Sequence, residues 1–197
     1  IFDAGTAPGG YAYLWSNGAT TQTTTISTAG PYAVTVTDIN GCTGTSVRNL
    51  TVNANPVPNI TTVDSTICQG NTTILNAGAG FIAYQWSGGL GATQNIAVGT
   101  AGNYSVTVTN VFGCTGTDVI PVVVNALPVP VITGDFDFCQ GFNTTVDAGA
   151  GYIGYLWSNG AVTQTINLST ATTITVTVTD INGCVNDTNA TTIVYAN

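Results

Sequence analysis

The side chains with the most chemistry to offer in this 197-residue chain are five cysteines. Cys42, Cys114 and Cys184 each follow a glycine, in Asp38-Ile39-Asn40-Gly41-Cys42, Asn110-Val111-Phe112-Gly113-Cys114 and Asp180-Ile181-Asn182-Gly183-Cys184. Cys68 and Cys139 form a second class, each followed by Gln-Gly. Two chemistries compete for them. Thiolates bind zinc, but the chain has no His and no C-x-x-C, and two thiolates make a poor site. The other chemistry is the disulfide. The economical pairing is Cys68–Cys114 and Cys139–Cys184, one bond per repeat. Each would close a loop of about 46 residues, worth about 4 kcal/mol by loop-closure entropy. By analogy with Cys68 and Ile74, the partner of Cys42 would lie outside the chain, about six residues before Ile1. Such staples imply an oxidising, extracytoplasmic setting.

The remaining reactive groups are few. The nine acids are all Asp, Arg48 is the single cation, and Lys, Glu, His and Met are absent. General acid–base and nucleophilic catalysis need a proton carrier of the kind missing here. Asp135-Phe136-Asp137 is the one close acidic pair, and its counterpart Asp64-Ser65-Thr66 does not keep it. We expect no enzyme, no catalytic residue and no cofactor. The turns Asp38-Ile39-Asn40-Gly41 and Asp180-Ile181-Asn182-Gly183 carry oxygens that suit calcium. Asn110-Val111-Phe112-Gly113 lacks that pattern, so hairpin turns are the better reading and no metal ion is expected. The net charge of −8 supplies no basic footprint for nucleic acid or anionic lipid. No run approaches 18 apolar residues, so no membrane-spanning segment is expected.

These residues must be positioned by a repeat. Trp15, Trp86 and Trp157 recur every 71 residues, in Tyr13-Leu14-Trp15-Ser16-Asn17-Gly18, Tyr84-Gln85-Trp86-Ser87-Gly88-Gly89 and Tyr155-Leu156-Trp157-Ser158-Asn159-Gly160. A long fixed period marks an array of small domains. We divide the chain at 1–55, 56–127 and 128–197. The first repeat lacks residues corresponding to 56–73, which predicts a piece cut from a longer array. A strand donated by another subunit is the less favoured explanation. Pro56-Val57-Pro58 and Pro128-Val129-Pro130 predict semi-rigid linkers that hold neighbours apart.

Thr, Val, Ile and Tyr favour strands, and the best helix formers are largely missing. Tyr104, Val106 and Val108 alternate with Ser105, Thr107 and Thr109, the period of a half-buried antiparallel strand. The second repeat reads as six strands: 60–63, 72–77, 82–87, 94–98, 103–109 and 117–124. Pro121 within the last suggests a bulge or an edge. The fold class is all-β, a tandem β-sandwich array. Trp15, Trp86 and Trp157 read as core anchors, with a ligand-stacking platform as the alternative.

The motifs Asp147-Ala148-Gly149-Ala150-Gly151, Tyr155-Leu156-Trp157-Ser158-Asn159-Gly160, Ala101-Gly102-Asn103-Tyr104-Ser105-Val106-Thr107-Val108-Thr109 and Asp38-Ile39-Asn40-Gly41-Cys42 resemble known repeats. These are the immunoglobulin-like, PKD-like repeats of very large Bacteroidetes surface proteins. Adhesins of gliding bacteria and modules of secreted multidomain enzymes carry them. The third repeat departs from the pattern, with Thr172 and Ile174 in place of Gly and Tyr. The resemblance implies an immunoglobulin-like sandwich, export by a type IX route to the cell surface, and a structural role in an adhesin or filament. Neighbouring repeats of the same polypeptide are the expected partners, with self-association into filaments through Phe112, Phe136, Phe138 and Phe142. The alternative is a module binding carbohydrate or another surface polymer on platforms such as Phe81, Phe112 and Tyr152. Asp64-Ser65-Thr66 resembles a Bacteroidetes O-glycosylation acceptor, which implies a glycan on Ser65.

Overall fold

The computed structural model describes residues 1–6 and 10–196. Asn197, which closes the third repeat in sequence, lies outside the described residues. Two compact bodies are present: Ile1–Pro56 with Phe112–Cys114, and Val57–Val111 with Thr115–Asn197.

The first body contains β1 (Phe2–Asp3), β2 (Ala12–Trp15), β3 (Thr23–Thr24), β4 (Gly30–Thr37) and β5 (Thr43–Leu50). β1 pairs with β3, and a second sheet runs β2-β4-β5, all antiparallel. Trp15 and Val34 are buried between them. Val36 is only half-buried and most of β5 is exposed. In the second repeat Ile60 and Ile67 belong to the corresponding core. In the first, a groove is bordered by Phe2, Trp15, Tyr32, Val34 and Val36.

The second body opens with β6 (Thr66–Cys68), β7 (Thr73–Asn76), β8 (Ala83–Trp86), β9 (Asn95–Val98), β10 (Gly102–Thr109) and β11 (Thr115–Asn125). β7 pairs with β9, and the facing sheet runs β6-β11-β10-β8. β12 (Thr133–Gly134), β13 (Asp137–Cys139), β14 (Thr144–Asp147), β15 (Gly154–Trp157), β16 (Thr165–Leu168), β17 (Thr173–Thr179), β18 (Val185–Thr191) and β19 (Ile193–Tyr195) follow. Here one sheet is β12-β14-β16 and the other is β15-β17-β18, with β19 carrying β13 beside it. A first strand that leaves one sheet for the other, and a tryptophan on the third major strand, give the immunoglobulin-like arrangement of a two-sheet sandwich. The fold is therefore all-β and immunoglobulin-like.

The alternation read from sequence does the packing. Val106 and Val108 on β10 are fully buried, as are Val176 and Val178 on β17. Each such side chain contributes roughly 1.5–3 kcal/mol. Leu75, Trp86, Ile96 and Tyr104 complete one core, and Val146, Trp157, Ile166 and Ile174 the other.

One local expectation needs correction and another is narrowed. Residues 60–63 do not form a strand of their own, since only Thr61 bridges to Asn76. The chain then crosses to the other sheet, leaving Val63 fully exposed, and pairs again as β6, parallel to Val123–Asn125. A single apolar run cannot announce that its two halves serve different sheets. Pro121 makes no bulge: the β10–β11 register runs through it unbroken, opposite Asn103. It occupies the outer edge of β11 just before β6 joins.

Candidate functional site: the cystine junction between repeats

The chemistry of the chain gathers where the second repeat meets the third. Cys68 ends β6 at the pole from which the chain leaves the second repeat, because Cys68 is the parallel partner of Asn125, the last residue of β11. Gln69 N–H donates to Asn125 O at 2.8 Å and Asn71 N–H to Cys68 O at 3.0 Å, so the tight turn after Cys68 is closed by backbone alone. Cys184 sits at the entry pole of the third repeat. Asp180 Oδ1 accepts the N–H groups of Asn182 at 2.9 Å and of Cys184 at 2.8 Å. Gly183 N–H donates to Asp180 O at 3.0 Å, with Gly183 at φ 78°, a conformation that glycine adopts without strain. The carboxylate is thus used in aiming a sulfur.

The two sulfurs are bonded. Cys68 and Cys184 form a disulfide with Cα atoms 5.5 Å apart and 116 residues of sequence separation. The bond is sealed from solvent on one side, with Cys184 fully buried. Val63, Asp64, Asn71 and Thr72 border a groove there together with Asn182 and Gly183 of the third repeat. Beside it Asn186 Nδ2 donates to Pro128 O at 2.9 Å. Pro128 and Pro130 are buried while Val129 projects outward, so the linker packs as a third contact rather than as a spacer.

The pairing expected within each repeat is therefore wrong. Cys114 immediately precedes β11 and Cys68 lies opposite its far end. Eleven residues at about 3.3 Å each separate them by about 35 Å, against the Cα–Cα reach of about 4.4–6.8 Å that a disulfide requires. Cys139 and Cys184 are kept apart in the same way, since Cys139 pairs with Tyr195 and Cys184 precedes β18. Cys42 and Cys139 are exposed thiols. Cys114 is half-buried, with Sγ 3.8 Å from Asn53 O.

The other predicted residues fall in distinct places. Trp15, Trp86 and Trp157 are 5%, 2% and 1% exposed. Each indole N–H donates to a carbonyl six or seven residues on: Thr21 O, Thr93 O and Thr163 O, at 2.9, 2.9 and 2.8 Å. Ser65 is half-buried, and its carbonyl accepts Val123 N–H at 2.8 Å.

The aromatics proposed as contacts are divided. Phe138 is buried and Phe136 packs against the third core, so neither is a lateral contact. Phe81 and Tyr152 stand edge-on to Tyr84 and Tyr155, both at 5.9 Å between ring centroids. Phe112 and Phe142 are each 65% exposed.

Asp3, Asn76 and Asp147 are one repeated device, each accepting a glutamine amide (Gln22, Gln94, Gln164) and a glycine N–H two residues on. The Gln22 amide and the Gly5 N–H hold Asp3 below the usual carboxylate range. Among the described residues, no three acidic or cysteine side chains converge as a metal site would require.

Neither a protein-family model nor a curated protein sequence matches the chain. Among solved structures, it is similar to a 1.5-MDa bacterial ice-binding adhesin, at 16% identity and a TM-score of 0.44 over 95% of this chain and 86% of that one. It is also similar to a Ca2+-stabilized adhesin of an ice-binding Antarctic bacterium, at 14% identity and a TM-score of 0.43 over 95% and 65%. A Bacteroides ovatus glucan-utilisation protein in complex with a heptasaccharide is similar at 14% identity and a TM-score of 0.24 over 94% and 60%. At such scores the likenesses carry no argument about what the chain binds.

Proposed function

We propose that this chain is a structural repeat segment of an extracellular surface adhesin or filament, a rod of domains 1–55, 56–127 and 128–197 stapled end to end by disulfides. The observation that carries this reading is the Cys68–Cys184 bond, which spends the cysteines of two repeats on joining them rather than on stabilising either. Linker and disulfide form two covalent connections across one junction, and two connections suppress the bending that one would permit. A bond of this kind belongs to an oxidising compartment outside the cytoplasm. The sparse charge and the absence of a proton carrier suit a mechanical role better than a catalytic one. Export by a type IX route, and glycosylation at Ser65, rest on the sequence resemblance. The surface-polymer alternative is weaker, because Phe81 and Tyr152 are half-covered by neighbouring tyrosines.

The stapled junction is tested by residual dipolar couplings on the full chain. The second and third repeats should share one alignment tensor when oxidised and acquire separate tensors after reduction or in C68S. Separate tensors in the oxidised protein, or no change on reduction, would sink the rod. The surface role is tested by antibody labelling of producing cells. Labelling of intact cells is expected; labelling that appears only after permeabilisation would refute it.

A further inference from the structure

Cys68–Cys184 is a bond that an unfolded chain has little chance of making first. Cys114 lies between the two in sequence, about 46 residues from Cys68 and about 70 from Cys184. The bonded pair is separated by 116. The probability that two points of a flexible chain meet falls roughly as the −3/2 power of the length between them. Oxidation before folding should therefore give Cys68–Cys114, Cys114–Cys184 and Cys68–Cys184 in a ratio of roughly four to two to one. The bond of the folded protein is the least favoured of the three.

Folding reverses that order. Cys68 becomes the parallel partner of Asn125, at the end of β11 opposite to Thr115. Val123 N–H donates to Ser65 O and Gln69 N–H to Asn125 O, both at 2.8 Å, which pins β6 at each end. Ile67, beside Cys68, is buried in the core with Trp86 and Val122. A disulfide reaches only about 4.4–6.8 Å between Cα atoms. A Cys68–Cys114 bond would therefore have to pull β6 off β11 and Ile67 out of that core. The same strand, about 35 Å long, keeps Cys114 from Cys184, because the Cα of Cys184 is 5.5 Å from that of Cys68. Neither bond to Cys114 is compatible with the folded junction.

The unfolded chain and the folded repeats thus demand different partners for one sulfur. We infer that this chain is a substrate for a thiol–disulfide isomerase, which converts Cys68–Cys114 into Cys68–Cys184. The isomerase thiolate attacks the Cys68 sulfur, and Cys114 leaves as a thiolate. β6 is then free to pair with β11 while Cys68 is held in a mixed disulfide. Once the third repeat has set its Asp180 turn, the Cys184 thiolate attacks the Cys68 sulfur and the isomerase leaves with its thiolate restored. One protein disulfide is exchanged for another, Cys114 gains the proton that Cys184 gives up, and no net oxidant is consumed.

The step rests on the stapled-junction reading, and one set of peptide maps separates the two. The probe is the full chain carrying C42S and C139S, which removes two exposed thiols and leaves three possible pairs. One sample is oxidised with glutathione disulfide in guanidinium chloride. A second is refolded under reductant before oxidation. Mapping should find Cys68–Cys114 ahead of Cys68–Cys184 by about fourfold in the first, and Cys68–Cys184 almost alone in the second. The first sample is then returned to native buffer with and without reduced protein disulfide isomerase. Conversion to Cys68–Cys184, with recovery of amide protection in β6 and β11, should be about tenfold or more faster with the isomerase. Dominance of Cys68–Cys184 in the unfolded sample, or equal conversion rates, would overturn the isomerase step. Absence of Cys68–Cys184 from the refolded sample would instead overturn the junction on which it is based.

Discussion

At the scale of single residues, the three tryptophans and the three Asp/Asn–Gln pairs do the same work in each repeat with small chemical differences, which makes them internal controls. Trp157→Ala removes a ring that is 1% exposed and orphans Thr163 O. The expected cost is about 3–5 kcal/mol in urea unfolding of the third repeat, and Trp157→Phe should cost less because most of the apolar contact survives. Asp3 and Asn76 make equivalent hydrogen bonds, one charged and one not. Because the Gln22 and Gly5 donors lower the folded-state pKa of Asp3, its stabilisation is present at neutral pH. It is lost as the pH falls below the ordinary carboxylate value of about 3.9. Asp3→Asn should therefore lower the melting temperature slightly at pH 7 and flatten its fall as the pH drops below the ordinary carboxylate value. An unchanged acid slope would remove Asp3 from the account. The tryptophan motif was legible because a residue so large, recurring every 71 positions, has few other places to go. The indole hydrogen bond was not legible, since its acceptor is a backbone carbonyl that any residue supplies.

At the scale of elements, the sequence reveals a strand when its two faces differ and hides it when they do not. Val106 and Val108 announced β10 through strict alternation. β6 and β13, three residues each, offer too short a pattern, although they carry the cysteines that matter. Gly134 marks the entry to the same switch between sheets in the third repeat. An added Cβ would come within 2.6 Å of Thr145 O, and its φ is 140°. Gly30 has a similar φ of 149° with open space around it. Gly134→Ala should destabilise its repeat by more than 1 kcal/mol and release the amides of β12 and β14 to hydrogen exchange. Gly30→Ala should cost only the backbone term. Equal effects would show that the close approach to Thr145 does not matter.

At the scale of the whole molecule, the expectation of tandem sandwiches survives and the expectation of how they are fastened does not. Cysteine spacing alone favoured one bond per repeat, because a sequence shows that two cysteines share a repeat but not that eleven residues of strand hold them at opposite poles. The same geometry that forbids the internal bond brings Cys68 and Cys184 together where the second repeat meets the third. Under tension this has a further effect. A pull applied to the two ends enters the second repeat, reaches Cys68, crosses the sulfur bridge and leaves from Cys184, so the cores around Trp86 and Trp157 lie off the load path. The sequence separation of 116 between the two cysteines would otherwise yield roughly 400 Å of slack. Stretching single molecules by force microscopy should show that length released only after a reductant is added. Its release from the oxidised protein would mean that the bond does not bear the load. With the bridge intact, the stretch between the two sulfurs can lose its fold without adding to the length of the chain, and a tether made this way can hold more of its reach.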